Sequence, residues 1–220
     1  MRGPSWGEDD PADAPLIASN IRALLTDLAA AAAARVTPAV TLAHGWHRRI
    51  YAGAGSVPRP NYLGTFRGSP DPDLVDYDGH LADGFGRVVA VTPSAGEVAA
   101  HLIELDRALR QAVSLLDNLI PPGSRPTGAE LDGVLWLAAQ LHGEWVKIHP
   151  YANGNGRTAR TWANWVALRY GLPPFVRIKP RPDGLLYPNA ALHSMGQPPD
   201  WQGNHQQTFS LFVDLLRQQP

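Results

Sequence analysis

Residues 149–160, HPYANGNGRTAR, gather side chains that phosphate chemistry uses. Gly154, Asn155 and Gly156 form a turn in which the glycine backbone takes conformations that other residues resist. Successive N–H groups of such a turn point inward as an anion-binding nest. The turn also opens a helix, whose first N–H groups lack internal partners and whose dipole favours negative charge. Arg157 and Arg160 stand three apart and so share one face of the first turn. Guanidinium groups there suit phosphate oxygens in forked geometry. His149 lies just upstream. A neutral imidazole beside a bound phosphate takes a proton from an attacking hydroxyl, a role worth about 10²–10⁴ in rate. A general base, an oxyanion nest and two cations are most of what phosphoryl or nucleotidyl transfer asks of a protein, apart from positioning and a metal. Each part alone is a common structural feature. In this order, between two amphipathic helices, they read as a polyphosphate cradle.

Two helices must hold that loop. Thr127 and Glu130 form a T-x-x-E capping box. The helix it opens carries Leu131, Val134, Leu135, Ala138, Leu141 and Trp145 on a core face and closes at Ile148. The next helix starts within or just after GNGR and runs through Trp162, Ala163, Val166 and Leu168 to Tyr170, with Gly171 at the cap and Pro173 and Pro174 beyond. Helical spacing also predicts helices from near Pro15, over 40–51, over 94–119, and more weakly over 189–195 and 206–217. Residues 62–66 and 87–91 are aromatic or β-branched and read as two strands. Asp71, Asp73, Asp76, Asp78 and Asp83 lie in a turn-rich loop between them. That loop reads as solvated, with a partner-recognition insert as the alternative.

The helices read from spacing, with two short strands, make a mainly α architecture. Residues 1–14 form a flexible acidic lead with Glu8, Asp9, Asp10 and Asp13, and 15–220 a single helical domain with its core at about 40–215. Hydrophobic residues make up 44% and charged residues 18%, as in an ordered globular protein. A net charge of −1 argues against coating nucleic acid or an anionic membrane. The absence of cysteine removes disulfides, thiolate catalysis and cysteine zinc sites. No apolar run approaches the ~20 residues of a membrane span, and the N-terminal residues lack the apolar stretch of a secretory signal. The expectation is a cytoplasmic protein without membrane or nucleic-acid partners. His44 and His47, at i and i+3, read as a packed pair rather than metal ligands. His142 reads as packing near the site. Gly84-Phe85-Gly86 lacks the third glycine of a dinucleotide fingerprint.

The motif resembles the signature of the Fic (Fic/Doc) family, H-x-F-x-[D/E]-G-N-G-R-x-x-R. His149, Gly154, Asn155, Gly156, Arg157 and Arg160 match it directly. LHGEWVKIHP resembles the family's preceding helix, RTWANWVALRYGLPP its following helix, and NYLGTFR with VVAVTP its β-hairpin flap. The resemblance implies a Fic-type helical bundle with a small flap beside the active-site loop. It implies transfer of AMP from ATP to a Ser, Thr or Tyr hydroxyl of a protein target. His149 would be the base, Gly154, Asn155 and Gly156 would hold the phosphates, and Arg157 and Arg160 the distal ones. Val88, Val89, Ala90 and Val91 would dock an extended target segment by strand addition. Two positions depart from the pattern. Tyr151 replaces Phe as the loop anchor. Asn153 replaces the acid that holds Mg²⁺ or Mn²⁺, and an amide oxygen is a weaker ligand. That departure keeps two alternatives open besides AMP transfer. One is a Doc-like phosphotransferase or a transferase using another nucleotide-linked donor. The other is a nucleotide-binding interaction module or pseudoenzyme. Many Fic proteins are restrained by an [S/T]-x-x-x-E-[G/N] helix whose glutamate pairs with the second arginine. Ser210 and Asp214 approximate its spacing only, so the expectation is either an unrestrained chain or a separate antitoxin-like partner that supplies the glutamate.

Overall fold

The computed structural model describes residues 4–82 and 87–219. Among these the order is α1 (Ala14–Ala33), α2 (Leu42–Ile50), β1 (His80–Ala82), β2 (Val88–Val91), α3 (Val98–Leu119), α4 (Ala129–Ile148), α5 (Asn155–Arg169), α6 (Leu186–Met195) and α7 (Gln206–Arg217). The architecture is a helical bundle with a two-stranded hairpin, as the periodicity and the family resemblance predict. Asp83 and the Gly84-Phe85-Gly86 run lie outside the described residues.

Helices α4 and α5 form the centre. Every residue of α5 except Gly156 and Leu168 is buried, so this helix is enclosed rather than one-faced. Trp162 explains part of that. Its ring meets Trp46 at 4.5 Å, Trp145 at 5.8 Å and Trp165 at 5.6 Å, tying α2, α4 and α5 together. Such edge-on aromatic pairs add about 0.5–1.5 kcal/mol each beyond the area they bury. The capping signals act as read, in part. Glu130 accepts from the Thr127 backbone N–H at 3.1 Å, which is half of the box. Gly171 takes φ +74°, and the Leu172 N–H returns to Ala167 O at 2.9 Å, closing α5 in a left-handed cap. The base of α5 is braced by Arg169, which grips both carboxylate oxygens of Asp117 on α3 at 3.1 and 2.6 Å.

A second, smaller core joins the N-terminal part to the motif side. It contains Trp6, Ile17, Ile21, Leu24, Tyr51, Tyr62, Leu74, Tyr77 and Ile178. Helix α1 supplies one stripe to each core, with Leu28 and Ala32 reaching the larger one. By length and composition the stretch Pro11–Ala33 is nevertheless apolar enough to cross a membrane, with hydropathy 1.3 and 28% of the window buried. The sequence reading missed this because the alanine run was weighed apart from the helix that contains it.

The hairpin corrects the first expected strand. Residues 62–66 form no strand. Pro60–Tyr62 is a 3₁₀ turn, and Gly64 sits at φ +66°. A side chain at Gly64 would strike His44 O at 2.7 Å. Tyr62 is aromatic for packing, not for pairing: its ring is buried against Tyr77 at 5.7 Å. The partner of β2 is β1, with His80 opposite Val91, Leu81 opposite Ala90 and Ala82 opposite Val88 across a bulge. The acidic loop before it is anchored. Leu74 is fully buried, and Asp71 and Asp73 both accept from Asn61 at 2.7 and 3.1 Å.

Candidate active site

Residues 149–154 connect α4 to α5, so one short loop joins the end of one central helix to the start of the other. His149 caps α4 in a left-handed conformation, φ 52° and ψ 55°. Its Nδ1 donates to Val146 O at 3.3 Å. A carbonyl can only accept, so Nδ1 carries the proton and Nε2 keeps a free lone pair. Burial, the Arg67 guanidinium and His80 pull the imidazole down to about 4, so it is neutral near pH 7. His149 opens on a cavity of about 520 Å³ lined by Ser5, Trp6, Asp78, His80, Ala152 and Asn153, among others.

On the far side of the loop, Gly154 takes φ +78°. A side chain there would meet Tyr51 at 2.6 Å and His47 Nε2 at 2.8 Å, so only glycine fits. Thr158 N–H makes the first return bond, to Gly154 O at 3.1 Å. The N–H groups of Asn155, Gly156 and Arg157 precede it and have no partner within the helix. These groups stand at the positive end of a helix dipole, whereas the Gly154 N–H, expected to hold phosphate, is taken by Asn153 Oδ1 at 2.8 Å. Asn155 contributes backbone only. Its side chain turns back onto Tyr151, accepting from its N–H and donating to its C=O, each at 2.9 Å, and so fixes the loop.

The two arginines are buried but differ in company. Arg157 donates to Glu8 Oε2 at 3.1 Å, Asp9 Oδ1 at 2.6 Å and the Tyr51 hydroxyl at 2.6 Å. Burial lowers its proton affinity, but Tyr51, Glu8 and Asp9 outweigh that and hold it above its ordinary value. Arg160 donates to Ile178 O at 2.9 Å and to the Tyr187 hydroxyl at 2.8 Å. Tyr187 also meets His142 Nε2 at 2.7 Å. His142, expected to pack near the site, thus stands behind Arg160 through Tyr187.

Asn153 is fully engaged. Its Oδ1 accepts from Gly154 N–H at 2.8 Å and its Nδ2 donates to Trp6 O. Tyr151 is buried in the Phe position and its hydroxyl reaches His44 Nδ1 at 3.5 Å. His47 stacks on that ring at 4.0 Å. Its Nδ1 accepts from Gly64 N–H at 3.0 Å, so its Nε2 carries the proton that meets Asn153 O at 2.9 Å. Both nitrogens are spent on backbone, which makes His47 a brace of the loop and not half of a metal pair. The flap residues Val88, Val89 and Val91 are exposed, and Ala90 is half-buried.

The sequence pattern of the Fic/DOC family matches residues 39–167. The chain belongs to the Fic/DOC family. Two characterised relatives align in part. A uridine 5'-monophosphate transferase of Xanthomonas campestris pv. campestris is 50% identical over 42 residues, 19% of this chain and 8% of that protein. Protein adenylyltransferase Fic of Nematostella vectensis is 44% identical over 109 residues, 43% of this chain and 25% of that protein. The matched stretch is therefore a quarter or less of either relative. Among solved structures, a Fic domain containing signaling protein from Bacteroides thetaiotaomicron superposes with TM-score 0.63 at 21% identity, covering 90% of this chain and 67% of that one. BepC from Bartonella tribocorum, solved with bound AMPPNP, superposes with TM-score 0.54 at 15% identity, covering 95% and 89%. These likenesses show the Fic fold.

Sequence reasoning read His47 as packed, as it is, but missed Arg67, Tyr51 and Tyr187 around the Fic loop, and Glu8 and Asp9 on Arg157. The only available signal was charge complementarity between the acidic lead and the basic cradle.

Two of the buried histidines carry a measurable consequence. Burial pushes His47 and His142 each down to about 3. The unfolded chain takes up protons at both below about 6.5, and the folded chain refuses them. Stability therefore falls as pH drops below that value. Between pH 6.5 and 5.5 these two and His149, itself held down to about 4, together remove about 3 kcal/mol, or about 6–12 °C of Tm for a chain of this size. Calorimetric melts across that range check it.

Proposed function

We propose that this chain transfers AMP from ATP to a Ser, Thr or Tyr hydroxyl of a protein target. The observation that carries the reading is that one short loop joins His149, whose Nε2 keeps a lone pair, to the N-terminus of α5 and Arg157. The target hydroxyl oxygen attacks the α-phosphorus, and His149 Nε2 takes its proton. The bond from that phosphorus to the bridging oxygen breaks, and pyrophosphate leaves. The nest and Arg157 hold the phosphates, with Arg160 behind them. The exposed β2 edge receives the target backbone, and cytoplasmic residence goes with this reading. A separate inhibitor supplying a glutamate to Arg160 would have to displace Tyr187.

Phosphates can reach Arg157 only when Glu8 and Asp9 leave it. The same lead is held by Asn153 through Trp6 O. The residues here do not fit a protein-held magnesium. Asn153 has both ends of its amide occupied, and no cluster of three His, Cys, Asp or Glu occurs among the described residues. Mg²⁺ or Mn²⁺ would enter on the nucleotide. Asn153→Asp removes the donor to Trp6 O, sets a carboxylate against that carbonyl and restores an acid beside the phosphates. It is expected to raise AMP transfer about tenfold at fixed Mg²⁺, an effect of about 1.4 kcal/mol. Rate measurements against Mg²⁺ concentration, with hydrogen exchange over residues 4–10, check both halves.

The uridine monophosphate transferase relative favours one second reading, a different nucleotide donor. Intact-mass analysis after incubation with ATP, UTP, CTP or GTP and a lysate target pool separates the donors. A phosphate mass in place of a nucleotide mass would give the Doc-like reaction. Binding without transfer would give the interaction module.

A further inference from the structure

We propose that Arg67 is a positioning residue for the transfer reaction, a buried cation that ties the backbone of His149 to the root of the flap hairpin so that the two move as one unit. The inference rests on the transferase reading above.

Arg67 is 1% exposed. Its Nε donates to His149 O at 2.6 Å and its Nη2 to Ile148 O at 2.8 Å, which are carbonyls at the C-terminal end of α4. A helix leaves those carbonyls without internal partners and puts the negative end of its dipole there. The same Nη2 reaches Thr92 Oγ1 at 2.9 Å and Pro93 O at 2.7 Å, just past β2. Its Nη1 reaches Tyr77 O at 3.4 Å, ahead of β1. The Arg67 backbone N–H donates to Pro150 O at 2.8 Å. One side chain therefore fixes the peptides on both sides of His149 and both feet of the hairpin. Thr92 extends the tie by donating to Gly79 O at 2.9 Å. A side chain at Gly79 would crowd this tie, lying 3.0 Å from Thr92 Oγ1 and 3.2 Å from the His149 ring.

This arrangement explains how a left-handed, non-glycine residue is held at the base position. It also gives the charge a task. The described acceptors of Arg67 are carbonyl and hydroxyl oxygens, and burial lowers its own affinity to about 10. A cation so placed disfavours a second proton on His149. The charged or titratable groups that face His149 are Arg67, His80 on β1 and Asp78 at the cavity wall. Arg67 is the one bonded to the His149 peptide.

The test needs neither nucleotide nor target. Full-length chain with ¹⁵N-labelled histidine gives the protonation midpoint and tautomer of His149 by NMR, with His149→Asn for assignment. Arg67→Met is expected to raise the midpoint by about one pH unit or more and to mix the tautomers. An unchanged midpoint and tautomer in a folded Arg67→Met variant would overturn the proposal. Should that variant fail to fold, Arg67→Lys keeps the charge and loses the fork. Hydrogen exchange is then expected to quicken together at His149 and over β1 and β2. Quickening at only one of them would overturn the tie. If the wild type transfers no nucleotide at all, the transferase reading fails while both readouts stand.

Discussion

Replacing His149 is expected to lower nucleotide transfer by about 10²–10⁴-fold with little change in ATP affinity. The base makes its contact with the attacking hydroxyl, not with the ground-state nucleotide, so its loss falls on kcat. Alanine alone is an ambiguous probe here. His149 sits at φ 52°, and an ordinary residue in the left-handed region costs about 1–2 kcal/mol. Asparagine tolerates that region better. The two variants should lose activity alike, whereas a loss confined to alanine would trace to the backbone. The pH profile adds a second check. A base with the ordinary histidine value loses activity as pH falls through about 6.5. With the imidazole held down to about 4 by burial, Arg67 and His80, it stays neutral well below that. Transfer should therefore hold nearly level from pH 7.5 to 5.5. A break near 6.5 would mean that the base titrates as an exposed imidazole.

The legible parts of this molecule were those written locally. The α4 and α5 faces follow from apolar spacing, the left-handed cap from Gly171, and the nest from Gly154 and Gly156. The placement of β1 was not legible. His80, Leu81 and Ala82 carry no β-branched residue, and only the pairing with β2 makes them a strand. Residues 62–66 misled in the opposite direction, because Tyr62 and Phe66 are aromatic to fill cores. Arg67 had no pattern at all. It is a lone arginine in a turn, and its importance arises from bringing residues 77, 92–93 and 148–149 to one point. The same holds for Tyr187, whose hydroxyl serves Arg160 and His142 at once. Trp6 is the instructive case. A single tryptophan among Pro, Gly and acids gives no periodic signal, yet its ring packs on Tyr51 at 4.7 Å and carries Glu8 and Asp9 to Arg157.

That placement leads to the second large effect. The double variant Glu8→Gln and Asp9→Asn is expected to bind ATP about 10–100-fold more tightly, or about 1.4–2.8 kcal/mol. Arg157 can serve a phosphate only in the fraction of molecules whose lead has left, and apparent affinity is reduced by that fraction. The two acids are unequal. The Asp9 side chain is 78% exposed, so its pair with Arg157 contributes little. Glu8 is 24% exposed, against 3% for Arg157, and shares that arginine with the buried Tyr51 hydroxyl. The larger share of the gain should therefore come from Glu8→Gln alone. Titration calorimetry in a His149→Asn background, where turnover is removed, measures it directly. Raising salt should narrow the gap by screening the exposed Asp9 more than Glu8. If the double variant binds ATP no better than the parent, then the lead and the phosphates do not compete, and the nucleotide must reach the nest with Glu8 still on Arg157.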